Sequence, residues 1–238
     1  MPKNFPEPSS GFSFKNTINK GEFMSKTLGP IHYLMYEKIK FQDKITDFLM
    51  DGDFSKIKYK PVSIKPLEEI LDQENIHGFL QEKIDIVESR LAQALSLCEN
   101  PSDKLFKLGQ ECGKGKDFSS FDQIFTDLNT YLLDGMPCDQ GLSAVLDSDC
   151  LFLITNHNLH KKYEEEVNLE NSRKASCEGG HSHESHESFE LGNGGLGELK
   201  NEESTYHKYR LDFLKGYFSE SPYEVDLVNG INYKISKK

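Results

Sequence analysis

The amino-acid sequence predicts an α+β fold, predominantly helical, arranged as an irregular helical bundle with a C-terminal β-hairpin. Three observations carry that expectation. Apolar residues recur at three- and four-residue steps through most of the stretch from residue 30 to residue 218, the period of helices with one buried face. Glycine and proline fall between these stretches, where helices stop and start. The tail, YEVDLVNGINYKI, alternates instead, around an Asn-Gly pair.

Residues 1–27 hold three prolines in the first eight positions and few apolar residues, and read as a loosely ordered N-terminal arm. A helical domain follows over 28–170, then an acidic His- and Gly-rich flexible insertion over 171–203. A helix and hairpin over 204–238 should pack on the same domain. The first helix starts at Pro30, a residue suited to a first turn, and buries Ile31, Leu34, Met35, Ile39, Ile45, Phe48 and Leu49 before Gly52 ends it. The second starts near Pro66 and carries Leu67, Ile70, Leu71, Leu80, Ile84, Val87, Leu91 and Leu95, with Gly78 a candidate break and Asn100-Pro101 the end.

A short helical piece, DKLFKL, leads to Gly109, Gly113 and Gly115, which read as a flexible turn. Ser120 and Gln123 have the spacing of a capping box ahead of Phe121, Ile124, Phe125, Leu128, Tyr131 and Leu132. Gly135 and Pro137 stop that helix. A further helix is expected from about Asp139 to Val167, with Leu142, Val145, Leu146, Cys150, Leu153 and His157 along its core face. Tyr206, Phe213, Leu214, Tyr217 and Phe218 predict a last helix, ended by Ser221-Pro222. In the tail, a three-residue loop Val228-Asn229-Gly230 pairs Leu227 with Ile231, Val225 with Tyr233 and Tyr223 with Ile235. All six then share one apolar face, and Gly230 takes the left-handed position.

The chain has 238 residues and a net charge of −11. Between Tyr163 and Glu203 there are 11 acidic and 3 basic residues, a net of −8, and the other 197 residues are close to balanced. Phosphate backbones need a clustered basic surface, so nucleic acid is not an expected partner. No apolar run is long enough to span a bilayer, and the N-terminus lacks the apolar core of a secretory signal. Five widely spaced cysteines read as reduced thiols, and the expected location is the cytoplasm.

Two donor sets point to a metal. His157, His160 and Glu164, in His-x-x-His-x-x-x-Glu spacing on the expected 139–167 helix, would share a face with Cys150; imidazoles one turn apart can hold one ion, with a carboxylate or thiolate as a further ligand. Cys177, His181, His183 and His186 lie within ten residues of the insertion, and such soft and borderline donors bind Zn²⁺ or Ni²⁺ without a preformed fold. The expected function is therefore a metal-binding helical protein, acting as sensor, carrier or small metalloenzyme. Zinc is the default ion, with iron or nickel next. The bland account of His157 and His160 is a solvated helix end. The alternative from another class is a module that binds a small organic ligand or a protein partner through its helical core. Tyr206, Tyr209 and Tyr217 beside Arg210 are candidates for lining its pocket, although their spacing favours an ordinary packing face. Cys112, Cys138, His32, His77 and His207 complete the set of residues with reactive or ligating side chains.

Overall fold

The computed structural model describes residues 28–72, 74–147, 149–178 and 204–238, with backbone alone for 174–178. The expected arm, and the insertion from residue 179 to 203 with His181, His183 and His186, lie outside the described residues, as does the side chain of Cys177. The observed order is α1 (Pro30–Met50), α2 (Leu67–Ile70), α3 (Ile76–Leu97), α4 (Pro101–Gly113), α5 (Phe121–Leu128), β1 (Leu142–Asp147), β2 (Cys150–Thr155), α6 (Lys161–Glu178), α7 (Thr205–Tyr217), β3 (Tyr223–Val228) and β4 (Asn232–Lys237). The fold is α+β and mostly helical, as expected.

α1 begins at Pro30, where the missing N–H is no loss, and His32 Nδ1 accepts the Gly29 N–H at 2.9 Å. The expected second helix is two. The break falls at 71–75 rather than at Gly78, because Asn75 caps α3 by accepting the Gly78 N–H at 3.0 Å. Pro101 ends nothing further and instead opens α4. Ser120 caps α5, as its spacing with Gln123 implied.

Gly109 and Gly113 are not turn residues. Both lie inside α4 and let it meet α7 backbone to backbone. A methyl group on Gly109 would stand 2.0 Å from the Phe213 carbonyl oxygen, one on Gly113 2.1 Å from that of Tyr217, and one on Gly216 2.0 Å from that of Phe106. Glycine weakens an isolated helix, and here that cost is offset by the close approach.

The expected 139–167 helix is the main error of the sequence reading. Residues 142–155 form the β1–β2 hairpin, and α6 starts only at Lys161. Leu151, Leu153 and Thr155 are buried while Cys150, Phe152 and Ile154 are half-buried, a period of two. The sheet is antiparallel in the order β1-β2-β4-β3. The tail does form its hairpin, but Leu227 pairs with Tyr233 and Val225 with Ile235, around the loop Asn229-Gly230-Ile231. The slip from the expected register is two residues, so the apolar face is kept. Asn229 and Gly230, at φ 53° and 77°, are both left-handed, the twist that suits a tight hairpin.

Two apolar cores result. One joins Leu91 and Leu95 of α3 to α4, α5, α7 and the inner face of the sheet. The other gathers Met35, Tyr36 and Ile39 of α1 with Ile76–Val87 of α3, Leu133 and Met136. α1 and α3 run through both. Where they pass from one to the other they carry Gln42, Asp43, Thr46, Glu88 and Arg90, all buried and polar.

Candidate functional site

The polar belt between the cores is built from five parts of the chain. α1 brings Gln42, α3 brings Glu88, the segment after α5 brings Asp134, the turn before α6 brings His160, and α7 brings Tyr206 and Arg210. His160 is 2 % exposed. Its Nδ1 lies 2.8 Å from Glu88 Oε2 and its Nε2 3.3 Å from Asp134 Oδ1. Arg210 Nη1 donates to the same Asp134 oxygen at 2.8 Å, and Nη2 donates to the Leu133 carbonyl at 2.9 Å. Tyr206 stacks on His160, ring centres 3.5 Å apart, and its hydroxyl accepts from Arg210 Nη2. Gln42 Nε2 donates to Glu88 Oε1 at 3.1 Å and to the Tyr206 hydroxyl at 3.5 Å.

Acids and bases are paired within the cluster. Burial opposes a charge on His160, but Glu88 beside it and the hydrogen bonds to Asp134 and Glu88 outweigh burial and raise its pKa above the ordinary value. Burial pushes the other way on Asp134, and there Arg210 and His160 win, holding the carboxyl well below the usual range. Two acidic side chains thus face a guanidinium and a histidine whose charged form they favour, the condition under which buried charge is tolerated. His207, next along α7, is the opposite case. Burial, then the charges of Arg210 and His160, push its pKa down to about 2. It is neutral, with Nδ1 2.8 Å from the Tyr233 hydroxyl.

These two histidines give stability a defined pH dependence. Unfolded, both titrate near pH 6.5. The contribution of neutral His207 is complete above about pH 6.5 and falls below it, by roughly 1.4 kcal/mol per pH unit. The contribution of charged His160 is complete below about pH 6.5 and is lost as pH rises through its raised folded value. Below about pH 4 the Asp134 carboxyl takes up a proton in the unfolded chain while the folded chain still holds it as an anion, and this adds to the acid limb. Urea midpoints measured across pH should therefore peak near neutrality. His207→Gln should flatten the acid limb and His160→Gln the alkaline one; limbs unchanged by these substitutions would refute the charge assignment.

The structure corrects the metal reading. His157 and His160 are not on a helix; they sit in the turn between β2 and α6, where His157 points to solvent and His160 is buried. Both ring nitrogens of His160 already have carboxylate partners. Glu164 turns elsewhere, accepting from Ser204 Oγ at 3.0 Å and the Tyr206 N–H at 2.6 Å, and so fixes the start of α7. Cys150 is paired across the hairpin with Asp147, at the opposite end of β2 from His157. Among the described residues no group of three or more His, Cys, Asp or Glu side chains is placed to hold a metal ion, so the expected zinc, iron or nickel site at His157, His160, Glu164 and Cys150 does not form. Cys98, Cys112, Cys138 and Cys150 are all free thiols.

The aromatic residues of α7 divide between two surroundings. Tyr206, Tyr209 and Arg210 line a narrow crevice with Phe41, Gln42 and Leu91, while Tyr217 packs elsewhere against Phe118 and Phe218. Its closed part is a cavity of about 30 Å³, and Phe41, Ile45, Tyr131 and Tyr209 around it are half-buried. The walls are apolar. Gln42, Tyr206 and Arg210, at the edge of the charged belt, are among the polar residues that line it, with Tyr131 and Tyr209. The Tyr206 hydroxyl receives from two donors and donates to no group among the described residues, so its own proton is uncommitted. A larger open groove of about 320 Å³ runs along Tyr59–Ser63, Phe79 and Lys83.

Glu88 and Asp134 were not singled out from the sequence. Glu88 had a readable signal: it lies four residues after Ile84 and beside Val87 on an apolar stripe, where a charge needs a partner. Asp134 had none, because its partners lie 26 and 76 residues away.

No protein-family model matches the chain, and neither the curated proteins nor the solved structures include one with significant similarity to it. Among the described residues no helix is long and apolar enough to cross a membrane.

Proposed function

We propose that the chain is a binding module for a small, mostly apolar organic molecule that carries one hydrogen-bond acceptor. The observation behind this reading is the crevice between α1, α3, α4 and α7: apolar walls, a few polar residues, and a phenolic proton with no acceptor among the described residues. The buried acids and bases serve the site indirectly. Asp134 and His160 hold Arg210 and Tyr206 in place, and Gln42 is oriented by Glu88, so the floor of the crevice is fixed before a ligand arrives. The acceptor sought is a carbonyl or similar neutral oxygen, because Arg210 and His160, the basic groups nearest the Tyr206 hydroxyl, are already engaged by Asp134 and Glu88.

A cavity of about 30 Å³ holds one or two waters. A ring-sized ligand therefore enters only as half-buried Phe41 and Tyr209 swing outward, exchanging their contacts for its own. A reducing compartment such as the cytoplasm would suit the four free thiols.

The test uses acetophenone and ethylbenzene, alike in size but differing in the acceptor. Saturation-transfer NMR on the full chain should show saturable binding of acetophenone. Tyr206→Phe should weaken it about tenfold, one lost hydrogen bond, while leaving ethylbenzene unchanged. Leu91→Trp, which fills the crevice, should abolish both. No saturable binding of either compound, or binding that survives Leu91→Trp, would overturn the proposal.

A further inference from the structure

The four-stranded sheet has two edges, and they differ in chemistry. β3 carries Glu224 and Asp226 at exposed positions. β1 has neither charge nor proline from Leu142 to Leu146, although residues Ala144 to Asp147 are all exposed. Charges and prolines are the usual protection of an edge whose N–H and C=O groups are unpaired.

Among the described residues β1 is also uncovered on its inner side. Its register with β2 sets Leu142, Ala144 and Leu146 opposite Thr155, Leu153 and Leu151, so these side chains belong to the core face. Leu151 and Leu153 are 3 % and 0 % exposed, whereas Leu146 is 58 % exposed. Val145, on the other face, is 42 % exposed.

We infer that β1 pairs with β1 of a second copy of this chain, antiparallel about a two-fold axis, joining two sheets into one of eight strands. A two-fold axis perpendicular to the sheet keeps both core faces on the same side, so directly opposed residues must share a face. Centred on Ala144, the pairing sets Leu142 against Leu146 of the other copy and Ser143 against Val145. Each pair shares a face, and both copies of Leu146 gain cover. Asp147 falls opposite Gly141, so no acid meets an acid. The same operation on β3, centred on Val225, would oppose Glu224 to Asp226 twice, and like charges directly opposite are unfavourable. Centred on its middle, each edge thus gives a different result: β3 opposes acid to acid and β1 does not, and the occupant this favours at β1 is β1 itself.

Sedimentation equilibrium on the full chain should give a mass twice the 27.2 kDa of one chain. Ala144 is exposed, so its replacement should leave the monomer folded, as circular dichroism would verify. Ala144→Lys and Ala144→Glu each place like charges at the two-fold axis, and each should be monomeric alone. Mixed in equal amounts they should form the dimer again, because lysine then faces glutamate. A wild-type chain that stays monomeric across the micromolar range would overturn the inference, as would dimers that persist in either variant or a mixture that fails to associate.

Discussion

Gly216→Val should cost on the order of 3–5 kcal/mol, enough to lower the melting temperature by roughly 10 °C in a chain of this size. A Cβ at this position would stand 2.0 Å from the Phe106 carbonyl oxygen and 3.0 Å from the Gln110 backbone nitrogen, and backbone cannot rotate away as a side chain can. The helices α4 and α7 would have to separate, and with them the packing of Leu105, Leu108, Phe213 and Leu214, which are all buried. Even Gly216→Ala should be strongly destabilising, since the methyl group alone makes the collision. Lys215→Ala, one residue away and exposed, is the control and should stay within about 0.5 kcal/mol of the wild type. Differential scanning calorimetry of the three variants decides the matter; a Gly216→Ala protein as stable as Lys215→Ala would mean that the helices are not in backbone contact.

Asp134→Ala should be comparably damaging, at about 3–5 kcal/mol, for an electrostatic reason. It leaves Arg210 and His160 buried with Glu88 as their remaining carboxylate in the cluster. Asp134→Asn separates charge from shape: it keeps the volume and one acceptor, so most of a purely steric loss would be recovered, whereas the charge loss would remain. Urea unfolding of both variants gives the comparison. A loss below about 1 kcal/mol in Asp134→Ala would show that water reaches the cluster and replaces the carboxylate. In Asp134→Asn the alkaline limb of the pH profile should also shrink, because His160 loses one of the groups that keep it charged.

Helical periodicity was legible where one apolar stripe meets one core. α1, α5 and α7 lie close to where their stripes and caps put them, and the Asn-Gly pair located the C-terminal turn. The β1–β2 hairpin was missed because Leu142, Val145, Leu146, Cys150 and Leu153 also fit three- and four-residue steps. A short apolar run does not choose between the two periods. The discriminating mark was the alternation of Leu151, Leu153 and Thr155. That one error carried the metal site with it, since His157 and His160 share a face only if the helix exists. The belt was less legible still. Arg210 meets Asp134 across 76 positions, and Glu88 meets His160 across 72, so no local pattern announces either pair. The aromatic side of α7 could be read as a pocket wall, because Tyr206, Tyr209 and Arg210 recur at helical steps.

Glu164 has a consequence for how the chain tolerates change. Its carboxylate grips both the Ser204 hydroxyl and the Tyr206 amide, so two points 40 and 42 residues apart in sequence are fastened together. α6, whose Tyr163 and Val167 are buried, is thereby joined at its first turns to the first turn of α7. A change at Glu164 would therefore be felt at the floor of the crevice, which α7 carries, although Glu164 itself lies outside it.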